Sequence, residues 1–139
     1  MSYTLISIII LLIILAIFIF INFDYSSKYK KTDKDLYYEA LDQLLIGKLK
    51  ESYSTLRALI KNDTNNVKAY LKLGQVLREI GKPEKALKVH KNLLIRKDLN
   101  NYEKIELLKN ISQDYRHLNK IDEAITQSLD IIKLDKHNE

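Results

Sequence analysis

A spacing of small and large apolar residues recurs along this chain and leaves few folds open to it. Tyr70, Leu73, Gly74, Leu77, Gly81 and Ala86 form its clearest copy. Tyr70, Leu73 and Leu77 stand at i, i+3 and i+7, on one face of a helix. Gly74 and Ala86 lack bulk, so two successive helices can approach closely. Gly81 tolerates positive φ and ends the first helix. Pro83 opens the second, where its missing N–H does no harm. Moved back 34 residues, the pattern falls on Leu36, Ala40, Gly47 and Ser52. Moved forward 38, it falls on Leu108, Ile111, Ser112, Tyr115, Asn119 and Ala124. The four extra residues fall near Asp98-Leu99-Asn100-Asn101, whose composition is that of a loop able to absorb them. The predicted helix pairs are Lys34–Ile46 with Lys48–Lys61, Val67–Ile80 with Pro83–Arg96, and Tyr102–Leu118 with Ile121–Leu134.

That spacing is the tetratricopeptide one: a helix pair of about 34 residues that stacks on its neighbours to make a continuous core. The expected fold is all-α, a short α-solenoid of about three pairs behind a single N-terminal transmembrane helix. The predicted domains are a membrane anchor at 1–23, a basic juxtamembrane linker at 24–33, and repeats at 34–139, divided as 34–66, 67–100 and 101–139. One proline and three glycines in 139 residues disfavour a turn-rich β protein. The chain has no cysteine, which excludes disulfide frameworks, thiolate nucleophiles and cysteine-ligated metals. The net charge of +5 comes from 23 basic residues interleaved with 18 acidic ones, without a basic block, so nucleic acid is not expected as a partner.

The anchor is read from residues 1–23, which carry no charge, and from Leu5 to Ile21, apolar except for Ser7. At about 1.5 Å per residue such a helix matches a hydrocarbon core. A cleaved signal peptide fits badly. No Lys or Arg precedes the apolar run, and Phe20-Ile21-Asn22-Phe23 offers no small-residue cleavage site. Lys28, Lys30, Lys31 and Lys34 lie on the C-terminal flank alone, which places the repeats in the cytoplasm by the positive-inside tendency. Phe23, Tyr25 and Tyr29 are expected at headgroup level.

Gly74, Arg78, Gly81, His90 and Leu93, followed by the Asp114-Tyr115 pair, resemble the lipopolysaccharide assembly protein B family, as does a short anchor leading directly into repeats. The likeness runs over about residues 1–138. It implies an inner-membrane adaptor of Gram-negative bacteria that links the membrane protease FtsH to the lipid A synthesis enzyme it restrains. Members of that family carry more repeats and a four-cysteine, rubredoxin-like metal domain, and this sequence contains neither.

Chemistry of the catalytic kind is not legible. His90, His117 and His137 have no partners at ligand spacing, and no cofactor or metal is implied. Ser112, Asp114 and His117 are helical neighbours without a nucleophile turn. His90 reads as a core residue. Function is therefore expected in binding proteins, on the groove lined by the first helix of each pair. The outward positions are Lys68, Leu71, Gln75, Arg78 and Glu79 in the second repeat and Glu106, Lys109, Gln113, Arg116 and His117 in the third. Arg78 and Arg116 are suited to a partner's carboxylate, although a solvated polar face is the better account of any one of these residues taken singly. Tyr37, Leu41 and Leu45 make the matching positions of the first repeat apolar. No polar helix follows the last pair in this sequence. Leu129, Ile132 or Leu134 are therefore expected to be bare and to meet a partner, a second copy as a homo-oligomer, or the remainder of a longer protein.

Overall fold

Three positions predicted to be equivalent end their helices in the same way. Gly47, Gly81 and Asn119 have φ of 77°, 76° and 59°. One residue on, Lys48, Lys82 and Lys120 each donate a backbone N–H five residues back, to the carbonyls of Gln43, Leu77 and Tyr115, at 2.8, 2.8 and 2.9 Å. This is the Schellman stop, which needs the left-handed residue and satisfies carbonyls that a helix end leaves bare. Asn tolerates that conformation better than other side chains, so Asn119 does the work of the glycines.

In the computed structural model these stops separate the helices of three pairs. The order is α1 Ser2–Lys28, then α2 Asp33–Leu45 with α3 Leu49–Asn62, α4 Val67–Glu79 with α5 Pro83–Leu94, and α6 Asn101–His117 with α7 Ile121–Asp135. The structure describes residues 2–28 and 31–135, with side chains in α1 at 3 and 5–21. The sequence expectations for Tyr29, Lys30 and His137 lie outside the described residues, and those for Phe23, Tyr25 and Lys28 concern side chains outside the description. The chain divides into two compact units, Met1–Thr32 and Asp33–Glu139. In the first, α1 continues through Asp24 to Lys28, so part of the stretch read as a linker is helical. Every described side chain of α1 is exposed. Among the described residues no helix is long and apolar enough to cross a membrane, so the transmembrane helix expected over 1–23 gains no support from them.

In the second unit each pair closes on two small residues, twelve apart. They are Ala40 with Ser52, Gly74 with Ala86, and Ser112 with Ala124, all buried. Absence of bulk lets the helices touch. Where serine is the small residue its hydroxyl must find an acceptor in the dry interface. Ser52 Oγ donates to the Ala40 carbonyl at 2.8 Å, and Ser112 Oγ to the Ala124 carbonyl at 3.0 Å. Two apolar clusters fill the stack. One joins Ala40, Leu56, Leu59, Ala69, Leu73, Val76, Leu77 and Ala86. The other joins Leu93, Leu99, Leu107, Ile111, Tyr115 and Ala124.

The four extra residues are not absorbed as a loop. α6 has 17 residues where α4 has 13, and the surplus is an added turn at its N-terminus. Asn100 and Glu103 explain why. The Asn100 side chain accepts from the Glu103 N–H at 2.8 Å, and Glu103 accepts from the Asn100 N–H at 3.0 Å. This capping box starts the helix early. Leu99, just before it, is buried in the second cluster, which fixes the angle of entry.

Candidate protein-binding groove

The first helices of successive pairs lie side by side, so residues spaced by one or two turns on α4 face their counterparts on α6. Between them runs an open groove of about 700 Å³, lined by Gln75, Arg78, Glu79, Asn110, Gln113, Arg116 and His117. Six of the ten residues expected from spacing are brought together there. Lys68, Leu71, Glu106 and Lys109 do not line it. Leu71 instead packs against the second apolar cluster. Lys109 holds Glu106 at 2.8 Å, and that bonded carboxylate raises the lysine's pKa above its ordinary value. Lys68 is exposed.

Arg78 is not available to a partner's carboxylate. Its side chain is 6% exposed, and it reaches across to its own chain's next repeat. One guanidinium nitrogen donates to Asp114 Oδ1 at 2.7 Å and to the Asn110 carbonyl at 3.4 Å. The other donates to Asn110 Oδ1 at 3.1 Å and Gln113 Oε1 at 2.8 Å. Asp114 is fully buried, and its second oxygen lies 2.5 Å from His90 Nδ1, which donates to it. Arg78, Asp114 and His90 therefore form one buried polar unit across the joint of the second and third repeats. Its members come from α4, α6 and α5. Arginine is suited to this place, because its rigid fork satisfies several acceptors at once and keeps its charge.

Gly74 belongs to the same unit. A Cβ there would stand 2.1 Å from His90 Nε2, so the imidazole occupies the space the missing side chain leaves. His90 is a core residue, as its place on the second helix implied, but a polar one. Asp114 and Ser112 are both committed inside the fold, to Arg78 with His90 and to the Ala124 carbonyl, and neither is aimed at His117.

The groove that remains has Glu79, Gln113, Arg116 and His117 exposed along its walls. Gln75 ties to Glu79 at 3.0 Å and accepts from Lys72 at 3.0 Å. Arg116 and His117 have no bonded side-chain partner among the described residues. Asn110 was missed by sequence reading. It stands four residues before Asp114 on the same face, and that spacing was the available signal. In the first repeat Tyr37, Leu41 and Leu44 are half-buried, while Leu45 at 83% and Ile46 at 67% are bare. Burial first, and the neighbouring Tyr38 second, raises the Tyr37 phenol above 10.0.

Residues 55–88 match the tetratricopeptide repeat family, a stretch covering the second half of α3, all of α4 and the start of α5. The structure is similar to one of MamA at 20% identity and a TM-score of 0.66, over 77% of this chain and 60% of that one. A second structure of MamA matches at 20% identity and 0.65, over 76% and 55%. PcrH, in complex with the chaperone binding region of PopB, matches at 20% identity and 0.65, over 76% and 82%. The chain thus spans little more than half the length of the two MamA chains. No curated protein matches it. At these identities the likeness concerns the fold, and that fold is the tetratricopeptide one, a scaffold suited to holding other proteins.

Proposed function

We propose that the chain is a membrane-anchored tetratricopeptide adaptor that holds a protein partner in the groove between α4 and α6. Its site is the bacterial inner membrane, with the repeats in the cytoplasm and control of lipid A synthesis as the process served. The carrying observation is the groove itself: an open channel whose walls offer Arg116 and His117 unpaired, beside the carboxylate of Glu79. Such a mixture suits a polar segment with an acidic group for Arg116. The fold resembles that of PcrH, crystallised with a segment of another protein.

Two further observations support the membrane and the process. Ile8, Leu11, Phe18 and Phe20 of α1 are all more than half exposed. Apolar area in water costs about 25 cal/mol per Å², and insertion in lipid removes that cost while the helix satisfies its own backbone. Of the seven residues that resemble the lipopolysaccharide assembly protein B family, four, Gly74, Arg78, His90 and Asp114, are members of one buried unit, while Gly81, Leu93 and Tyr115 lie outside it.

The test is co-purification from native membranes with a C-terminally tagged chain, read by mass spectrometry. Recovery of FtsH or lipid A enzymes, lost in His117→Glu with helicity unchanged, is the expected result. Recovery of an unrelated set of envelope proteins would remove lipid A synthesis from the reading. A partner set that His117→Glu and Glu79→Lys leave untouched would remove the groove.

A further inference from the structure

One edge of the stack repeats the arginine and the apolar stripe of its own interior joint, with Ser128 in the place of His90. Arg116 stands 38 residues after Arg78, at the equivalent point of the third repeat. Along α7 the side chains of Ile121, Ile125, Leu129 and Ile132 are 53%, 53%, 51% and 51% exposed. Between α6 and α7 lies a groove of about 300 Å³, bounded by Arg116, Ile125, Ser128 and Leu129 among others. In the joint inside the molecule, the counterparts of Arg116, Ile125, Ser128 and Ile132 are Arg78, Leu87, His90 and Leu94. That surface is covered by α6. Leu107, Ile111 and Tyr115 pack in the cluster that Leu87 and Leu94 border, while Asp114 accepts from Arg78 and His90.

We infer that the α6–α7 edge is a second docking surface, which binds an amphipathic helix of a protein partner bearing a carboxylate. The helix carries apolar residues at i, i+4 and i+8 and an Asp or Glu at i+7, the pattern of Leu107, Ile111, Tyr115 and Asp114. Its apolar stripe covers Ile125 and Ile132, and its carboxylate meets the unpaired Arg116. A second copy stacked head to tail is a poorer occupant. The equivalent positions of α2 supply the carboxylate as Asp42, but put Asp35, Glu39 and Gln43 where the stripe must be apolar, which would set polar groups against the isoleucines. This surface shares Arg116 with the groove of the proposed function and no other residue, so the two occupants compete for that one guanidinium.

The probe is a fluorescent peptide of residues 101–117, which carries that pattern, titrated onto the full chain in detergent and followed by anisotropy. Saturable binding is expected, weakened at least tenfold by Asp114→Lys in the peptide and by Arg116→Glu in the protein. Pairing the two charge-reversed partners should recover most of the loss. Ile125→Glu, at a half-exposed site, should abolish binding and leave the unfolding midpoint in place. Binding indifferent to Arg116→Glu would mean the peptide has displaced its own copy at Arg78, and would overturn the inference. So would binding that falls with His117→Glu, which lines only the α4–α6 groove. A dimer that forms without peptide uptake and dissociates in Ile125→Glu would also overturn it, in favour of self-association through α7.

Discussion

The two joints of the stack occupy equivalent places and are built from opposite chemistries. Between the second and third repeats stand Arg78, Asp114 and His90. Between the first and second, the same three positions hold Leu44, Val76 and Leu56, of which Val76 is 0% and Leu56 1% exposed. The first joint gains by removing apolar area from water, a non-directional term. The second must offset the desolvation of a carboxylate and a guanidinium with their mutual attraction and a full set of hydrogen bonds. Such a balance is often close to neutral in stability. Among the described residues no buried side-chain nitrogen or oxygen lacks a partner, so the bonds are complete. An apolar joint accepts many similar surfaces, whereas this polar one accepts only a helix with a carboxylate at one point. The difference teaches that the second joint fixes which helix follows more than how firmly it is held.

The comparison breaks most visibly at Asp114. Asp114→Ala leaves Arg78 and His90 buried without their acceptor, and about 3–5 kcal/mol of stability should be lost. In a stack the damage is local. Hydrogen exchange should show the amides of α6 and α7 losing protection while those of α2 and α3 keep theirs. Installing the first joint's residues in the second, as Arg78→Leu, His90→Leu and Asp114→Val together, removes all the charges at once. That triple variant should lie within about 2 kcal/mol of the parent on either side, and well above Asp114→Ala, in urea unfolding. A triple variant as unstable as the single one would show that the joints are not interchangeable.

A smaller effect sharpens the same contrast at Gly74. Its counterpart in the first repeat is Ala40, beside leucine rather than histidine at the facing position. Glycine to alanine inside a helix ordinarily gains about 1 kcal/mol. Here the new methyl meets the imidazole of His90, so Gly74→Ala should instead lose about 1–3 kcal/mol. Adding His90→Ala should return part of that loss, and the non-additivity in a double-mutant cycle measures the clash. A net gain in the single variant would mean the ring has room to withdraw.

The contrast also explains what could be read from sequence. Helix ends were legible because Gly47, Gly81 and Asn119 each answer to a local rule about positive φ, and the small pairs because close approach tolerates few residue types. The added turn of α6 was read as a loop because Asn100 and Asn101 favour turns, and the weight of the Glu103 cap was not counted. The polar unit stayed hidden for a different reason. Periodicity places the Cβ of Arg78 on the groove face, yet its long side chain carries the charge to a neighbouring helix. What the sequence did offer was Asp114 itself, set between buried Ile111 and Tyr115. A carboxylate within an apolar stripe requires a partner of opposite charge. Which arginine and which histidine supply it depends on the stacking, and no single helix contains that information.

The apolar joint has a titratable group at its margin, and it gives the smallest expected effect. Tyr37 is half-buried and packs against the first cluster. Its folded pKa is raised above 10.0, chiefly by burial and then by Tyr38, so the folded chain holds this proton more tightly than the unfolded one. Stability is then unaffected by this group below pH 10. It falls as pH rises from 10 through the raised value, where the unfolded state gives up its proton first. Tyr37→Phe should flatten that part of the alkaline slope and leave the midpoint at neutral pH almost unchanged. Urea midpoints measured from pH 8 upward, for parent and variant, test this directly. If the parent loses no more stability than the variant above pH 10, the phenol is better solvated than its packing implies. The first joint would then reach less far along α2 than the half-buried face of Tyr37 indicates.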